Sequence, residues 1–278
     1  MSTLHALTEA PKGVVNPAAA QLAFRLERYL PEADLAPFLD FFWLVEWRLP
    51  EGVTHVQRTL PHPCVNLVFD RERTAVFGVV TGAFDYTLRG SGKVLGLRFR
   101  AGGFRGFLGD KLKTLTDRTM PLAPLFGGDG LADERAVLNA VDDAAMLAAA
   151  GAVLRRALPP ADAQVERIDA ILALLRTRPD ITRAEQLAEQ AGLGLRSLQQ
   201  LFMDYVGVSP KWAIRRNRLQ DAADRLAKGD EPDLAKLAQA LGYFDQAHFT
   251  SDFEKLVGKP PADYRRSCQT AREAQVKV

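Results

Sequence analysis

The sequence predicts an α+β protein, with a β-rich N-terminal part followed by an all-α part that contains two helix-turn-helix units. Three observations support this prediction. Residues 41–100 contain short runs rich in Phe, Trp, Val and Leu, separated by Pro, Gly and charged residues. From residue 163 onward, apolar residues recur at the spacing of α-helices. Within that helical part, one residue pattern occurs twice, about fifty positions apart.

The first predicted domain covers residues 1–158. Four of its runs are typical of strands, namely FFWLVEW, CVNLVFD, TAVFGVV and VLGLRFR. In the last run apolar residues alternate with Gly or Arg, which is the period of a half-buried strand. Strands this closely spaced predict an antiparallel sandwich or a small cupin-like barrel, to which the Ala-rich residues 131–157 add helices.

Composition restricts the class of protein. A chain of 278 residues can hold two domains, and 47% apolar with 25% charged residues is usual for a globular protein. No apolar run approaches the roughly 20 residues of a membrane span, and the N-terminus lacks the pattern of a signal peptide. Cys64 and Cys268 lie too far apart to suggest a disulfide framework. We therefore expect a cytoplasmic protein without a membrane partner.

The N-terminal domain shows no catalytic constellation. His62 and Cys64 lie two positions apart, and His55 is the only other nearby nitrogen ligand, which is too few for a metal enzyme. The sequence has no glycine-rich phosphate loop, GxSxG elbow or HExxH motif. We predict no catalytic residue, no metal and no cofactor, and a structural, buried Cys64. The domain is expected to bind a small-molecule effector or to self-associate.

The repeated pattern reads LA-x-x-x-G, then an apolar run, then F-x-x-x-V-G-x-x-P. The second copy has one more residue just after its first glycine, a length change that a turn tolerates and a helix does not. Two copies are too few for a solenoid, so the pattern indicates a duplicated supersecondary unit. The matching positions are Leu187, Ala188, Gly192, Phe202, Val206, Gly207 and Pro210 in the first copy, and Leu237, Ala238, Gly242, Phe253, Val257, Gly258 and Pro261 in the second.

Each copy predicts two helices joined by a short turn. In the first, Thr182 and Glu185 predict a capping box that opens a helix near residue 183, and Gly192 ends that helix. The next helix begins near Leu195. Its apolar positions form one stripe, and the opposite stripe is polar. That outward stripe is Arg196, Gln199, Gln200 and Met203.

In the second copy, Asp233 and Asp245 are placed to cap helices that begin at residues 234 and 246. The outward side of the latter helix offers Gln246, Ala247, Thr250 and Ser251. Between the copies, one long helix is predicted from Pro210 to Lys228, with proline at its start and glycine past its end.

Two such units on a rigid linker can place two recognition helices in successive major grooves, about 34 Å apart. Gln pairs with adenine and Arg with guanine, so the outward stripes are suited to read bases. The net charge of +2 does not itself indicate nucleic acid. A cluster of basic residues between the copies is suited to bind phosphate. The alternative is that these residues form a solvated helix face without a binding role. The cluster is Lys211, Arg215, Arg216 and Arg218.

Residues 163–266 resemble the DNA-binding domain of the AraC/XylS family of bacterial transcription regulators. The segments LGYFDQAHFTSDFEKLVGKPPADYRR and LQQLFMDYVGVSPKWAIRRNRL carry this resemblance. The segments LPHPCVNLVFD and GVVTGAFDYTLRGSGKVLGLRFRAGGFRGFLG resemble the β-rich domain that precedes it in one branch of the family. The resemblance implies a regulator that binds double-stranded DNA sequence-specifically through a C-terminal domain of seven helices. In many relatives an effector-binding or dimerising domain precedes it.

We therefore predict a DNA-binding domain over residues 159–267 and a flexible tail over 268–278. Activation or repression, RNA polymerase as a partner and homodimerisation stay open. A second hypothesis is a cupin-type metalloenzyme fused to a vestigial DNA-binding domain. A DNA-repair alkyl-transfer regulator is set aside, because HPCVNL lacks a Cys followed by His-Arg. The predicted DNA-binding residues are Arg196, Gln199, Gln200, Lys211, Arg215, Arg216, Gln246, Ala247, Thr250 and Ser251.

Overall fold

The computed structural model describes residues 5–8, 13, 15–229 and 233–276. Within them the N-terminal domain contains eight strands, five α-helices and a 3-10 helix, Leu112–Leu115. The helices are α1 Pro17–Ala23, α2 Arg105–Leu108, α3 Ala123–Phe126, α4 Gly130–Leu138 and α5 Asp143–Arg155. The strands are β1 Arg25–Tyr29, β2 Leu39–Arg48, β3 Thr54–Thr59, β4 Asn66–Phe69, β5 Ala75–Phe77, β6 Phe84–Arg89, β7 Ser91–Phe99 and β8 Thr119–Met120.

The strands form two antiparallel sheets, which confirms the predicted α+β class. Six strands pair in the order β1-β2-β7-β4-β5-β8, and β3 pairs with β6 in a separate sheet. In the described part of the chain, β1 and β8 end the large sheet without meeting, so it is open rather than a closed barrel. The four predicted runs became β2, β4, β5 and β7. The sequence analysis missed β1, β3, β6 and β8, which have mixed polar and apolar residues or are only two residues long.

The large sheet has one face in the core and one face outside it. Leu95, Leu97 and Phe99 of β7 are fully buried in a cluster with residues of α4 and α5, as their alternation predicted. On the other face, the odd-numbered residues 41–47 of β2 are only partly buried. This second face lies toward β3, β6 and the C-terminal domain, and a cleft described below lies over it.

The C-terminal domain has seven α-helices among its described residues, as the resemblance implied. A π-helical segment, Phe202–Val206, continues α8. Pro159 and Pro160 lie in the irregular segment between α5 and α6. The helices are α6 Ala163–Thr177, α7 Ala184–Gln190, α8 Leu195–Leu201, α9 Pro210–Lys228, α10 Leu234–Ala240, α11 Gln246–Val257 and α12 Pro261–Val276.

Two details of the predicted boundaries need correction. Residues 268–276 are not a tail, because α12 runs through them and Cys268 is buried in the core of the second unit. Residues 277–278 lie outside the described ranges. The cap of α7 is also different. Gln186, not Glu185, closes it, and its Oε1 accepts hydrogen bonds of 3.0 Å from the backbone N–H groups of Thr182 and Arg183.

The N-terminal domain contributes side chains to the cores of both helix-turn-helix units. Leu60 packs in the second core, with residues of α9, α10 and α11. Val79 and Ala101 pack in the first. Polar contacts add to this docking, including the ion pair of 2.7 Å between Arg100 and Asp169. In the described ranges, no helix is long and apolar enough to cross a membrane.

Candidate nucleic-acid interface

The first unit presents a polar stripe because the other side of α8 is committed to the core. Leu198 and Phe202 are fully buried against Leu187 of α7. Gly192, with φ of +64°, makes the turn between the two helices. Three of the predicted DNA-binding residues are exposed on the outer side of α8, namely Arg196, Gln199 and Gln200.

One member of this stripe is tied to the N-terminal domain. The Nε2 of Gln200 donates to Asp204 at 2.7 Å, and Asp204 lies 3.2 Å from the Nζ of Lys111. Nearby cations and hydrogen bonds lower the pKa of Asp204, although its burial acts in the opposite direction and is the largest single influence. The amide of Gln200 therefore belongs to an interdomain chain of contacts, whereas Gln199 has its side chain in solvent.

The second unit repeats this construction. Asp245 accepts from the backbone N–H of His248 at 2.7 Å and caps α11, and Asp233 caps α10, as predicted. Phe249 and Phe253 are fully buried on the inner side. The outward residues Gln246, Ala247 and Ser251 are exposed, and Thr250 is half-buried.

The sequence analysis missed an exposed aromatic residue at the start of α11. Phe244 stands in the turn before the cap residue and is 97% exposed, the largest value for a bulky apolar side chain in the described residues. Its neighbour Tyr243 is buried and stacks edge-on against Phe249. Only the position of Phe244 in the short turn between two helices could have suggested its exposure.

The predicted basic cluster divides into two pairs. Lys211 and Arg215, one helical turn apart on α9, are exposed and remain suited to bind phosphate. Arg216 does not lie at the surface with them. Its Nε donates to the carbonyl oxygen of Pro61 at 2.6 Å, and its Nη2 lies 3.1 Å from His62 Nδ1. The expectation that Arg216 faces DNA is therefore corrected, because α9 directs it into the N-terminal domain.

Arg218 is likewise part of the packing. Its guanidinium lies over the ring of Tyr243, 4.2 Å from the centroid, and burial lowers its pKa. This contact joins α9 to the turn of the second unit. Helical spacing explains this division. Arg216 lies one turn after the buried Trp212, and so on the same side of α9, whereas Lys211 and Arg215 lie one turn apart on a different side.

The side chains considered for metal or nucleophilic chemistry have other surroundings. In the ranges that the structure describes, no group of three or more His, Cys, Asp or Glu side chains could hold a metal ion. His62 lies against two arginines, Arg98 and Arg216. Cys64 is buried just before β4, and burial raises the pKa of its thiol. These surroundings give the metalloenzyme hypothesis no support.

Comparison with known proteins agrees with this geometry. Residues 187–267 match a family described as a helix-turn-helix domain, and residues 27–121 match one described as a domain of unknown function. An uncharacterized HTH-type transcriptional regulator of Haemophilus influenzae is 33% identical over 98 residues, which are 35% of this chain and 33% of that protein. The C-terminal domain is an AraC-type helix-turn-helix domain.

Other relatives match stretches of similar length. The HTH-type transcriptional activator RhaS of Pectobacterium atrosepticum is 31% identical over 87 residues, which are 31% of each chain. The chain thus spans about a third of the length of these curated relatives. A solved transcriptional regulator of Chromobacterium violaceum, described by its AraC-type DNA-binding domain, is 20% identical with a TM-score of 0.35, covering 37% of this chain and 92% of that one.

Proposed function

We propose that this protein is a sequence-specific transcription regulator that reads two successive major-groove segments of double-stranded DNA. The observation that carries the proposal is the repeated division of each unit into a buried apolar side and an exposed polar side. On one side, α8 and its π-helical continuation bury Leu198 and Phe202, and α11 buries Phe249 and Phe253. On the other side both helices expose Gln, with Arg on α8 and Ser on α11. Such a second helix is what a helix-turn-helix unit inserts into a groove.

The linker helix has a suitable length. α9 contains 19 residues, which corresponds to about 28 Å at 1.5 Å per residue. Successive major-groove segments on one face of DNA are about 34 Å apart. An uninterrupted helix of this length supports a fixed separation of the two units that is close to one turn of DNA.

We assign two roles to the exposed residues. Arg196, Gln199 and Gln200 in one groove segment, and Gln246, Ala247, Thr250 and Ser251 in the other, contact base edges. Lys211 and Arg215 contact phosphate, which positions the domain without reading sequence. Gln200 can take part once its bond to Asp204 opens.

The remaining assignments concern the whole protein. We propose that it acts in the cytoplasm and that its N-terminal domain controls DNA binding through a small-molecule effector or through association of two copies. Contact with RNA polymerase is a further proposal; one relative, RhaS, is named a transcriptional activator.

Selection of binding sites from a random DNA pool tests the proposed reading of two segments. Gln199→Ala should relax base preference in one half of a site, and Gln246→Ala in the other, at a cost of about 1–3 kcal/mol for each bidentate hydrogen-bonded pair that is removed. Gln239→Ala is the matched control, because Gln239 is exposed on α10, outside both stripes. If both variants lose preference at the same positions, or at none, the two units do not read separate segments.

A further inference from the structure

A cleft of about 1070 Å³ lies between the two domains, over the outer face of the large sheet. Residues of β2, β4, β6 and β7 line one side, and residues of α6 and α9 line the other. Its volume is slightly above the roughly 300–1,000 Å³ of most small-molecule sites. Four residues of β2 contribute to its apolar lining, namely Phe41, Trp43, Val45 and Trp47.

Two indole rings lie on the floor of this cleft, each over a glycine. Trp43 pairs with Gly96 across β2 and β7, and Trp47 pairs with Gly92. A Cβ on Gly96 would stand 1.9 Å from the Trp43 ring, and one on Gly92 would stand 2.4 Å from that of Trp47. The two rings therefore occupy the space that side chains on β7 would fill. The floor is aromatic, and both rings line the cleft.

Two guanidinium groups converge at one end of this floor, and they come from different domains. Arg98 is the β7 residue that follows Gly96 on the same face, and its guanidinium lies 5.1 Å from the ring centroid of Phe41. Arg216 reaches the same place from α9. The Nη2 atoms of both lie 3.1 Å from a single acceptor, His62 Nδ1. Arg216 Nη2 also lies 3.2 Å from His62 Nε2 and donates to Gln220 Oε1 at 3.1 Å, so the acceptors that hold Arg216 are neutral and do not compensate its charge.

The carboxylates around the cleft do not neutralise this pair fully. Asp40 lies 3.3 Å from Arg98 Nε, but with its side chain half exposed. Asp169 pairs with Arg100, and Asp70 accepts from Tyr86. Asp224 lies near Arg216 only through a relay, since Gln220 accepts from Arg216 and donates to Asp224. Burial and the neighbouring Arg98 lower the pKa of Arg216 to about 10, as expected for a cation that lacks a direct carboxylate partner.

We propose that this cleft binds an aromatic carboxylate, with its carboxylate held between Arg98 and Arg216 and its ring on Trp43. The carboxylate supplies the negative charge that the neutral acceptors around Arg216 do not, and arginine binds such a group through two parallel hydrogen bonds. Successive residues on one face of a strand lie about 7 Å apart, so a ring attached to that carboxylate reaches the indole over Gly96. The inference rests on the proposed control by an effector and names its site and its chemical class.

Calorimetric titration of the full-length protein tests the site, with quenching of tryptophan fluorescence as a second readout. The probes are benzoate and biphenyl-4-carboxylate, and the matched neutral probes are benzamide and biphenyl-4-carboxamide. Cyclohexanecarboxylate keeps the charge without the flat ring. We expect the aromatic carboxylates to bind and the amides and cyclohexanecarboxylate to bind much more weakly. Arg98→Gln and Arg216→Gln should each weaken binding roughly ten- to a hundredfold, as loss of a charged hydrogen bond does.

Arg58→Gln is the matched control, because Arg58 is also an arginine at the domain boundary but pairs with Asp85 outside the cleft. It should bind the probes as the wild type does, and circular dichroism should show that all three variants are folded. Equal binding of amides and carboxylates, unchanged affinity in both cleft variants, or no binding of any probe would overturn the proposal. Equal binding of cyclohexanecarboxylate would overturn its aromatic part. DNA binding, measured on the same samples, reports separately on the proposed function.

Discussion

The glycines at equivalent positions of the two copies offer a sharp test of how the domains are joined. Gly207 and Gly258 each follow a recognition helix with a positive φ, +88° and +82°, so each ends its helix in the left-handed conformation. The N-terminal domain packs directly on both. A Cβ on Gly207 would stand 3.1 Å from the carbonyl oxygen of Leu112, and one on Gly258 would stand 1.2 Å from Arg58 Nη1.

The expected cost of alanine differs between these positions. Left-handed backbone costs any non-glycine residue about 1–2 kcal/mol. Gly192→Ala should show that cost alone, because Gly192 has φ of +64° and no neighbouring atom of the described residues lies within 4 Å of where a Cβ would stand. At Gly207 the nearest atom is Thr116 Oγ1, at 2.9 Å, and the backbone of Leu112 lies just beyond it. Thr116 Oγ1 is itself held by a 2.6 Å hydrogen bond to the Gly207 carbonyl, so neither neighbour can swing away freely. Overpacking should add about 1–3 kcal/mol there.

At Gly258 the neighbour is the end of a flexible side chain. Arg58 can swing away at the expense of its ion pair with Asp85, which is partly exposed and contributes about 0–1 kcal/mol. The predicted order of destabilisation is thus Gly207→Ala, then Gly258→Ala, then Gly192→Ala. Urea denaturation followed by tryptophan fluorescence and circular dichroism measures the free energy of unfolding. Equal losses for Gly207→Ala and Gly192→Ala would refute the reasoning that the N-terminal domain packs rigidly on the first unit.

Two further predictions concern charge and thiol chemistry. Lys211→Ala and Arg215→Ala should each lower the log–log salt slope of DNA binding by about one unit, whereas Arg216→Ala should leave the slope unchanged. Fluorescence anisotropy at several salt concentrations measures these slopes, and an equal change in all three variants would contradict the prediction. Cys64 and Cys268 should resist a disulfide reagent at neutral pH until urea unfolds the protein, because both are buried and burial raises the pKa of each thiol. Full-rate labelling of the native protein would contradict that expectation.

The sequence was most informative where local chemistry determines structure. The caps Asp233 and Asp245, the span Pro210–Lys228 and the turn glycines all follow from short-range rules, and the structure has them as predicted. The burial of Leu95, Leu97 and Phe99 in β7 was also predicted, although Gly96 between them is buried as well, against the Trp43 ring. The resemblance to AraC-type domains is confirmed, while the individual DNA contacts stay predictions.

The features that the sequence did not reveal depend on contacts between residues that lie far apart in the chain. Nothing local marks β3 or β6 as a separate sheet, because their pairing joins residues 25 to 35 positions apart. In the sequence Arg216 cannot be distinguished from its neighbours in the basic cluster. Only the fold shows that its guanidinium contacts Pro61 and His62. The aromatic floor depends on the register of β2 against β7, which places a glycine under each indole. Such pairings are properties of the sheet and not of either segment alone.

These long-range contacts give α9 more than the linking role that its length suggests. One row of its side chains, with Lys211 and Arg215, faces solvent beside the recognition helices. A second row packs in the cores of both units. A third, with Arg216 and Gln220, enters the interdomain cleft. On the proposed control by an effector, a ligand that shifts Arg216 would shift α9 and with it the separation of the two units. Coupling between effector and DNA would then require no change in fold within either unit, only a change in how α9 is held against the sheet.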